Sequence, residues 1–74
     1  MKEWKYQIDG TCGPLVRAGE RVTRGQKLGI GMHEFPVLSE IDGMVSGISF
    51  VGPDHYFIIR VKARKDRSRT GPGD

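Results

Sequence analysis

The sequence predicts a small all-β domain, and two features of the chain support that class. Its 74 residues include 11 glycines and four prolines, which leave segments too short for long helices. No segment repeats apolar residues at the helical spacing of i, i+3, i+4 and i+7. Short segments rich in β-branched and aromatic residues, separated by turn signals, are typical of a sandwich or a barrel.

The predicted strands are spread along most of the chain. They cover residues 4–8, 15–16, 27–30, 35–41, 44–50 and 56–61. Residues 1–62 are predicted to form one domain, because a chain of this length has room for only one. Domains of this size bury only about 60% of their unfolded surface, so the predicted core is thin.

The charge is distributed unevenly between the body of the chain and its end. The formal net charge is +3, yet residues 1–62 contain eight basic and seven acidic residues. Residues 63–74 contain four basic and two acidic residues and no apolar residue after Ala63, which predicts a disordered basic tail. Since the body is almost neutral, a folded nucleic-acid-binding face is not favoured. Binding of RNA or DNA through the tail remains an alternative.

Targeting signals are not apparent in the sequence. The residues after Met1 lack the apolar region of a signal peptide, and no apolar run approaches the roughly 20 residues needed to span a bilayer. A single cysteine, Cys12, excludes an intrachain disulfide and fits a reducing compartment. The sequence therefore predicts a cytoplasmic protein without a membrane span.

An internal repeat is the most informative feature of the organisation. The chain matches itself at an offset of 33 residues, with Ile8-Asp9-Gly10 on Ile41-Asp42-Gly43 and Gly19 on Gly52. The matches fall on turn glycines and apolar strand positions, which a duplicated β unit must keep. Two quasi-symmetric halves are the resulting prediction. The same offset aligns Cys12 with Val45, which predicts that this cysteine is buried.

A turn motif lies between Val16 and Leu28. Its frame reads apolar–x–x–Gly–acid–x–Val–x–x–Gly–Gln–x–Leu. The two glycines of the frame are predicted to adopt positive φ at tight turns, where a Cβ is disfavoured. The valine between them is predicted to project inward. The predicted fold motif comprises Gly19, Val22, Gly25, Gln26, Gly43, Val45 and Gly52.

This frame, followed about 15 residues later by Gly43-x-Val45, resembles the biotinyl/lipoyl-like superfamily. The resemblance covers residues 10–61 and implies the barrel-sandwich hybrid fold with two quasi-symmetric halves. The short middle segment looks most like the hammerhead domains of Rnf and Nqr electron-transport subunits. Members that carry biotin or lipoate attach it through an amide to a lysine at a hairpin tip.

The hairpin that corresponds to the attachment site has no lysine here. Residues 29–36 read Gly-Ile-Gly-Met-His-Glu-Phe-Pro, and no lysine occurs between Lys27 and Lys62. We therefore expect no covalent cofactor. The candidate interaction tip is Met32, His33 and Glu34. A true carrier that uses an unrecognised lysine remains an alternative, and Lys27 is predicted to lie within a strand.

Other chemistry finds little support in the sequence. His33 with Glu34 offers too few ligands for a zinc site, and His55 could add to them only if the two turns meet. No nucleophile–base set or nucleotide loop is recognisable, so no enzymatic activity and no metal are expected. The predicted function is a structural or protein-interaction module of a larger enzyme or electron-transport assembly. A small basic β-barrel that binds RNA or DNA is the second hypothesis, and exposed strand edges leave pairing with a second copy open.

Overall fold

The structure, a computed structural model, describes residues 3–63. Within these residues the chain forms six strands and one turn of 3-10 helix at Met32–Glu34. The strands are β1 (Glu3–Asp9), β2 (Arg21–Val22), β3 (Lys27–Ile30), β4 (Pro36–Leu38), β5 (Gly43–Val51) and β6 (Tyr56–Ala63). The all-β prediction is confirmed.

Most predicted strands coincide with observed ones, and the differences have a local cause. Residues 15–16 form no strand, although Val16 is buried and the amide of Leu15 donates to the carbonyl of Leu28 at 2.9 Å. Strand β2 was not predicted. Its two residues are too few to show a periodicity, and they are extended because turns on both sides align them with β5.

The main sheet has four antiparallel strands in the order β1-β6-β5-β2. Side chains alternate between the two faces of a strand, and the apolar ones occupy the positions that point to the inner face of this sheet. One row across the sheet joins Tyr6 to Ile59 and Ile59 to Ile48. The buried hydrophobic core contains Tyr6, Ile8, Val16, Val22, Leu28, Val45, Ile59 and Val61.

A β-bulge in β5 keeps its apolar residues on one face. Val45 and Ile48 are three positions apart, an odd spacing that would put them on opposite faces of a regular strand. The register shifts by one residue between Val45 and Gly47, so Val45 pairs with Val61 and Ile48 with Ile59. The extra residue restores the inward alternation beyond the bulge.

Strands β3 and β4 form a separate two-stranded sheet that packs against β1. Leu28 points into the core and is fully buried. The buried Gly29 lies against the side chain of Ile8, and a Cβ on that glycine would come within 2.7 Å of it. A side chain at this position would therefore push the hairpin away from β1.

The two copies of the repeat share a close approach of glycine to a backbone carbonyl, and the chain conformation after that glycine differs between them. A Cβ on Gly10 would meet the carbonyl of His55, and one on Gly43 would meet the carbonyl of Lys62. After Gly43 the chain continues as β5, whereas after Gly10 it turns, with the amide of Gly13 bonded to the carbonyl of Asp9 at 3.0 Å.

The prediction that Cys12 is buried is wrong, because it lies in that turn and is exposed. The aligned Val45 is buried in the sheet instead. The repeat does not place Cys12 in a strand, because the carboxylate of Asp9 accepts from the amide of Thr11 at 3.2 Å and favours the turn.

The last described strand reaches the first residue of the predicted tail. Strand β6 includes Ala63, which the prediction assigned to the tail. The predicted disordered tail otherwise lies outside the described residues. Among residues 3–63, the structure contains no helix with the length and apolar character needed to cross a bilayer.

The close approach at Gly43 generates a stability prediction. Gly43→Ala should lower the free energy of unfolding by about 3 kcal/mol or more, because the new Cβ collides with the backbone of β6. That is a large share of the roughly 3–9 kcal/mol expected for a domain of this size. Gly52→Ala is the matched control, since its nearest contact would be the side chain of Phe50 at 3.8 Å. Urea unfolding followed by tryptophan fluorescence measures both, and equal losses would contradict the prediction.

Candidate functional site

Two matched turns define the base of the long hairpin that runs from β2 to β5. In residues 17–20, the amide of Glu20 donates to the carbonyl of Arg17 at 3.0 Å, and Gly19 has a φ of 90°. In residues 23–26, the amide of Gln26 donates to the carbonyl of Thr23 at 3.0 Å, and Gly25 has a φ of 89°. A type II turn requires positive φ at its third residue, which explains both glycines.

The side chain of the residue after each glycine adds a second hydrogen bond across its turn. The carboxylate of Glu20 accepts from the amide of Arg17 at 3.0 Å, and the amide oxygen of Gln26 accepts from the amide of Thr23 at 3.0 Å. Both side chains thus satisfy the first amide of the turn. The Gly–acid and Gly–Gln pairs of the motif are two copies of one turn chemistry, six residues apart.

Each turn is also bonded to the returning strand. The amide of Gly19 donates to the carbonyl of Val45 at 2.7 Å, and the amide of Val45 donates back to Glu20 at 2.9 Å. In the second turn, the amide of Gly25 donates to the carbonyl of Ser39, and the amide of Ser39 donates to the carbonyl of Gln26, both at 2.8 Å. Val22 lies between the turns and is buried, as predicted.

Side chains complete the base of the hairpin on the β4–β5 side. The carboxylate of Asp42 accepts from the amide of Arg24 at 2.7 Å, and the hydroxyl of the buried Ser39 donates to the carbonyl of Ile41 at 2.7 Å. The hydroxyl of Tyr6 accepts from the amide of Glu40 at 3.0 Å, which joins this segment to β1. The base is therefore fixed by hydrogen bonds from three directions.

The far end of the hairpin is the predicted tip. Met32, His33 and Glu34 form the 3-10 turn between β3 and β4, and all three are exposed. The amide of Gly31 donates to the carbonyl of Phe35 at 2.7 Å and closes the loop. The tip is a compact loop with a defined conformation.

The backbone of the tip is strained. His33 has a φ of 61° and Glu34 a φ of 64°, in the left-handed region that residues with a Cβ enter rarely. Such conformations cost about 1–3 kcal/mol each and cluster at binding and catalytic sites. The rest of the hairpin stabilises this conformation.

The tip exposes more apolar surface than the sequence suggested. Met32 is 56% exposed and Phe35 is 69% exposed, and they flank the polar pair. The sequence predicts a strand over residues 35–41, so Phe35 lies outside the predicted tip. Its position directly before Pro36, at the end of the glycine-rich stretch, was the available signal for an exposed loop residue.

The structure separates the other candidate residues. His55 lies in the β5–β6 turn, where its ring contacts Phe50 edge-on with centroids 5.7 Å apart. Within residues 3–63, no three His, Cys, Asp or Glu side chains lie close enough to hold a metal ion. Gly52 lies in the same turn as His55, but the positive φ there belongs to His55, at 56°.

Lys27 lies at the opposite end of the hairpin from the tip. It is the first residue of β3 and pairs with Leu38, as the prediction of a strand position requires. Its side chain is exposed. The geometry therefore differs from an attachment lysine that projects from a hairpin tip.

The chain was compared with protein-family models, with curated proteins and with solved structures, and none of the three comparisons gave a match. The function is therefore inferred from the geometry of this chain and from the resemblance of its turn motif.

The side-chain closure of the second turn can be tested by mutation. Gln26→Ala should lower the free energy of unfolding by about 1 kcal/mol, because the amide of Thr23 loses its acceptor. Gln26→Glu keeps an oxygen at the same place and should stay within about 0.5 kcal/mol of the parent. Hydrogen exchange at the Thr23 amide should accelerate only in the alanine variant. Equal exchange in both variants would show that the side chain does not close the turn.

Proposed function

We propose that this chain is a non-catalytic module of the biotinyl/lipoyl-like type that has no covalent cofactor and docks on a protein through its β3–β4 hairpin tip. The observation on which the proposal depends is the exposed, hydrogen-bonded tip with Met32 and Phe35 in place of an attachment lysine. The partner would be a subunit of a larger enzyme or electron-transport assembly, as the resemblance implies.

The paired turns support the family part of the proposal. Gly19 and Gly25 both adopt positive φ, and Glu20 and Gln26 close the two turns in the same way. The Gly–acid and Gly–Gln frame of the resemblance thus has a mechanical role in this chain. The turns fix the register of a hairpin whose tip corresponds to the carrier's attachment hairpin.

The chemistry of the tip indicates what it would bind. Met32 and Phe35 present two apolar side chains, and the carboxylate of Glu34 lies between them in the sequence. A complementary partner surface has an apolar pocket with a basic residue at its rim. Full burial of one such apolar side chain contributes about 1.5–3 kcal/mol. The hydrogen bond from the amide of Gly31 to the carbonyl of Phe35 closes the loop, which lowers the conformational entropy lost on binding.

The absence of a covalent cofactor is tested by ligase treatment and intact mass. Incubation with a biotin ligase, biotin and ATP, and separately with a lipoate ligase, lipoate and ATP, should leave the mass of the chain unchanged, because the tip has no amine. A biotin carrier protein in the same reaction serves as the positive control. A mass increase of one cofactor that disappears in Lys27→Arg would contradict the proposal and identify the chain as a carrier.

The docking role of the tip is tested by crosslinking and then by titration. Benzoylphenylalanine in place of Phe35 should crosslink one protein in cells, which is then identified and purified. The double variant Met32→Ser/Phe35→Ser should bind that purified partner about tenfold more weakly or worse, since each tenfold corresponds to about 1.4 kcal/mol. Leu15→Ser is the matched control, because Leu15 is 60% exposed outside the hairpin tip.

Calorimetry of the purified pair gives the dissociation constants for both variants. Binding by the tip variant at parental affinity, or an equal loss in Leu15→Ser, would refute docking through the tip. Because Met32 and Phe35 are both exposed, their replacement should leave the urea unfolding midpoint close to that of the parent.

A further inference from the structure

The outward face of the main sheet gathers basic side chains from three strands. Lys5 on β1 is paired with Arg60 on β6, and Lys62 follows two residues later on the same face. The row that contains Lys62 continues through Met44 to Arg21 on β2. Neighbouring strands lie about 4.8 Å apart, so the four cations occupy one end of this face.

The cations are balanced only in part, because Glu3 on β1 is paired with Lys62 while Lys5, Arg60 and Arg21 have no acidic residue opposite them in the register. Like charges directly opposite each other on antiparallel strands destabilise a sheet, and Lys5 and Arg60 form such a pair. Among the described residues of β1, the carboxylate of Glu3 accepts from the hydroxyl of Ser46 at 2.8 Å. The carboxylate of Asp9 lies at the other end of β1 and accepts from the amide of Thr11. An external anion would relieve the repulsion.

The guanidinium of Arg60 is held in place by neutral groups. Its Nη1 donates to the hydroxyl of Ser49 at 2.8 Å, and the side chain is half-buried. The guanidinium lies over Gly47, where a Cβ would collide with Nη2. Glycine at this bulge position therefore lets the side chain lie flat on the sheet. A positioned guanidinium with a neutral partner has donors left for a phosphate.

We propose that this face binds single-stranded nucleic acid, with phosphates on Lys5, Arg21, Arg60 and Lys62. An aromatic side chain on the same face distinguishes this ligand from other polyanions. Tyr56 and Ile58 are half-buried and point outward on β6, in phase with Arg60. Tyr56 lies about 13 Å from Arg60 at about 3.3 Å per residue. An aromatic ring in line with cations is the arrangement that stacks a base beside bound phosphates.

The sequence after β6 adds charge of the same sign. Lys62 and Ala63 are followed by Arg64, Lys65, Arg67 and Arg69. The cationic end of the sheet is the end from which this basic sequence continues. The inferred surface is thus on the folded body, as the second hypothesis of a basic β-barrel requires.

The full chain is tested with a fluorescent oligothymidylate of about 15 nucleotides by anisotropy over a salt series. At about 0.7 per neutralised phosphate, four cations predict a slope of log K against log salt of about −3 or steeper. Gly47→Ala should weaken binding about three- to tenfold, because its Cβ displaces the guanidinium. The fold should survive, since Arg60 can swing away. Gly52→Ala is the matched control and should bind like the parent.

A second pair of variants tests the surface without any change at Gly47. Lys5→Gln should reduce the slope by about 0.7, whereas Lys27→Gln, on β3, should leave it unchanged. The proposal is overturned if the oligonucleotide does not bind at low salt. A second outcome would also overturn it. Binding would be abolished when Arg64, Lys65, Arg67 and Arg69 are replaced with Gln, and it would be unchanged in Gly47→Ala and in Lys5→Gln. Equal affinity for polyglutamate or for anionic phosphatidylserine vesicles would likewise overturn it.

Discussion

Strand β6 is the element on which the rest of the structure depends, because it is hydrogen-bonded on both edges. It pairs with β1 over seven residues and with β5 along its whole length. Ile59 and Val61 on this strand are fully buried, and they contact apolar rows from both neighbours. On the β5 side the close approach requires glycine, because a Cβ on Gly43 or Gly47 would collide with Lys62 or Arg60 of β6. The core contains few apolar residues, and β6 contributes two of those that are fully buried. The other strands of the main sheet are therefore positioned relative to β6.

The hairpin from β2 to β5 is a second unit, fixed on that sheet by its base. The turns at Gly19 and Gly25 use the same hydrogen bonds, and each is bonded to the returning strand. This redundancy explains how a loop of three residues can hold two left-handed backbone conformations at its tip. The energy stored at His33 and Glu34 is offset by the hydrogen bonds and the burial at the base.

The two proposed surfaces differ in physical character. The tip offers Met32 and Phe35, so its binding would depend on apolar burial and change little with salt. The outward face offers Lys5, Arg60 and Lys62 at one end of the sheet, so its binding would depend strongly on salt. A module that docks on a protein by one element can in this way contact an anionic polymer by another.

The sequence by itself determined the all-β class, the turn glycines, the inward Val22 and the position of the tip, because these depend on local conformational preference and on the spacing of a few residues. Tertiary structure alone decided the bulge at Gly47 and the exposure of Cys12 and Phe35. It also decided which cations share a face. Those outcomes depend on the register between strands far apart in the chain, and a one-residue shift moves a side chain to the opposite face. No local pattern in this sequence specifies that register.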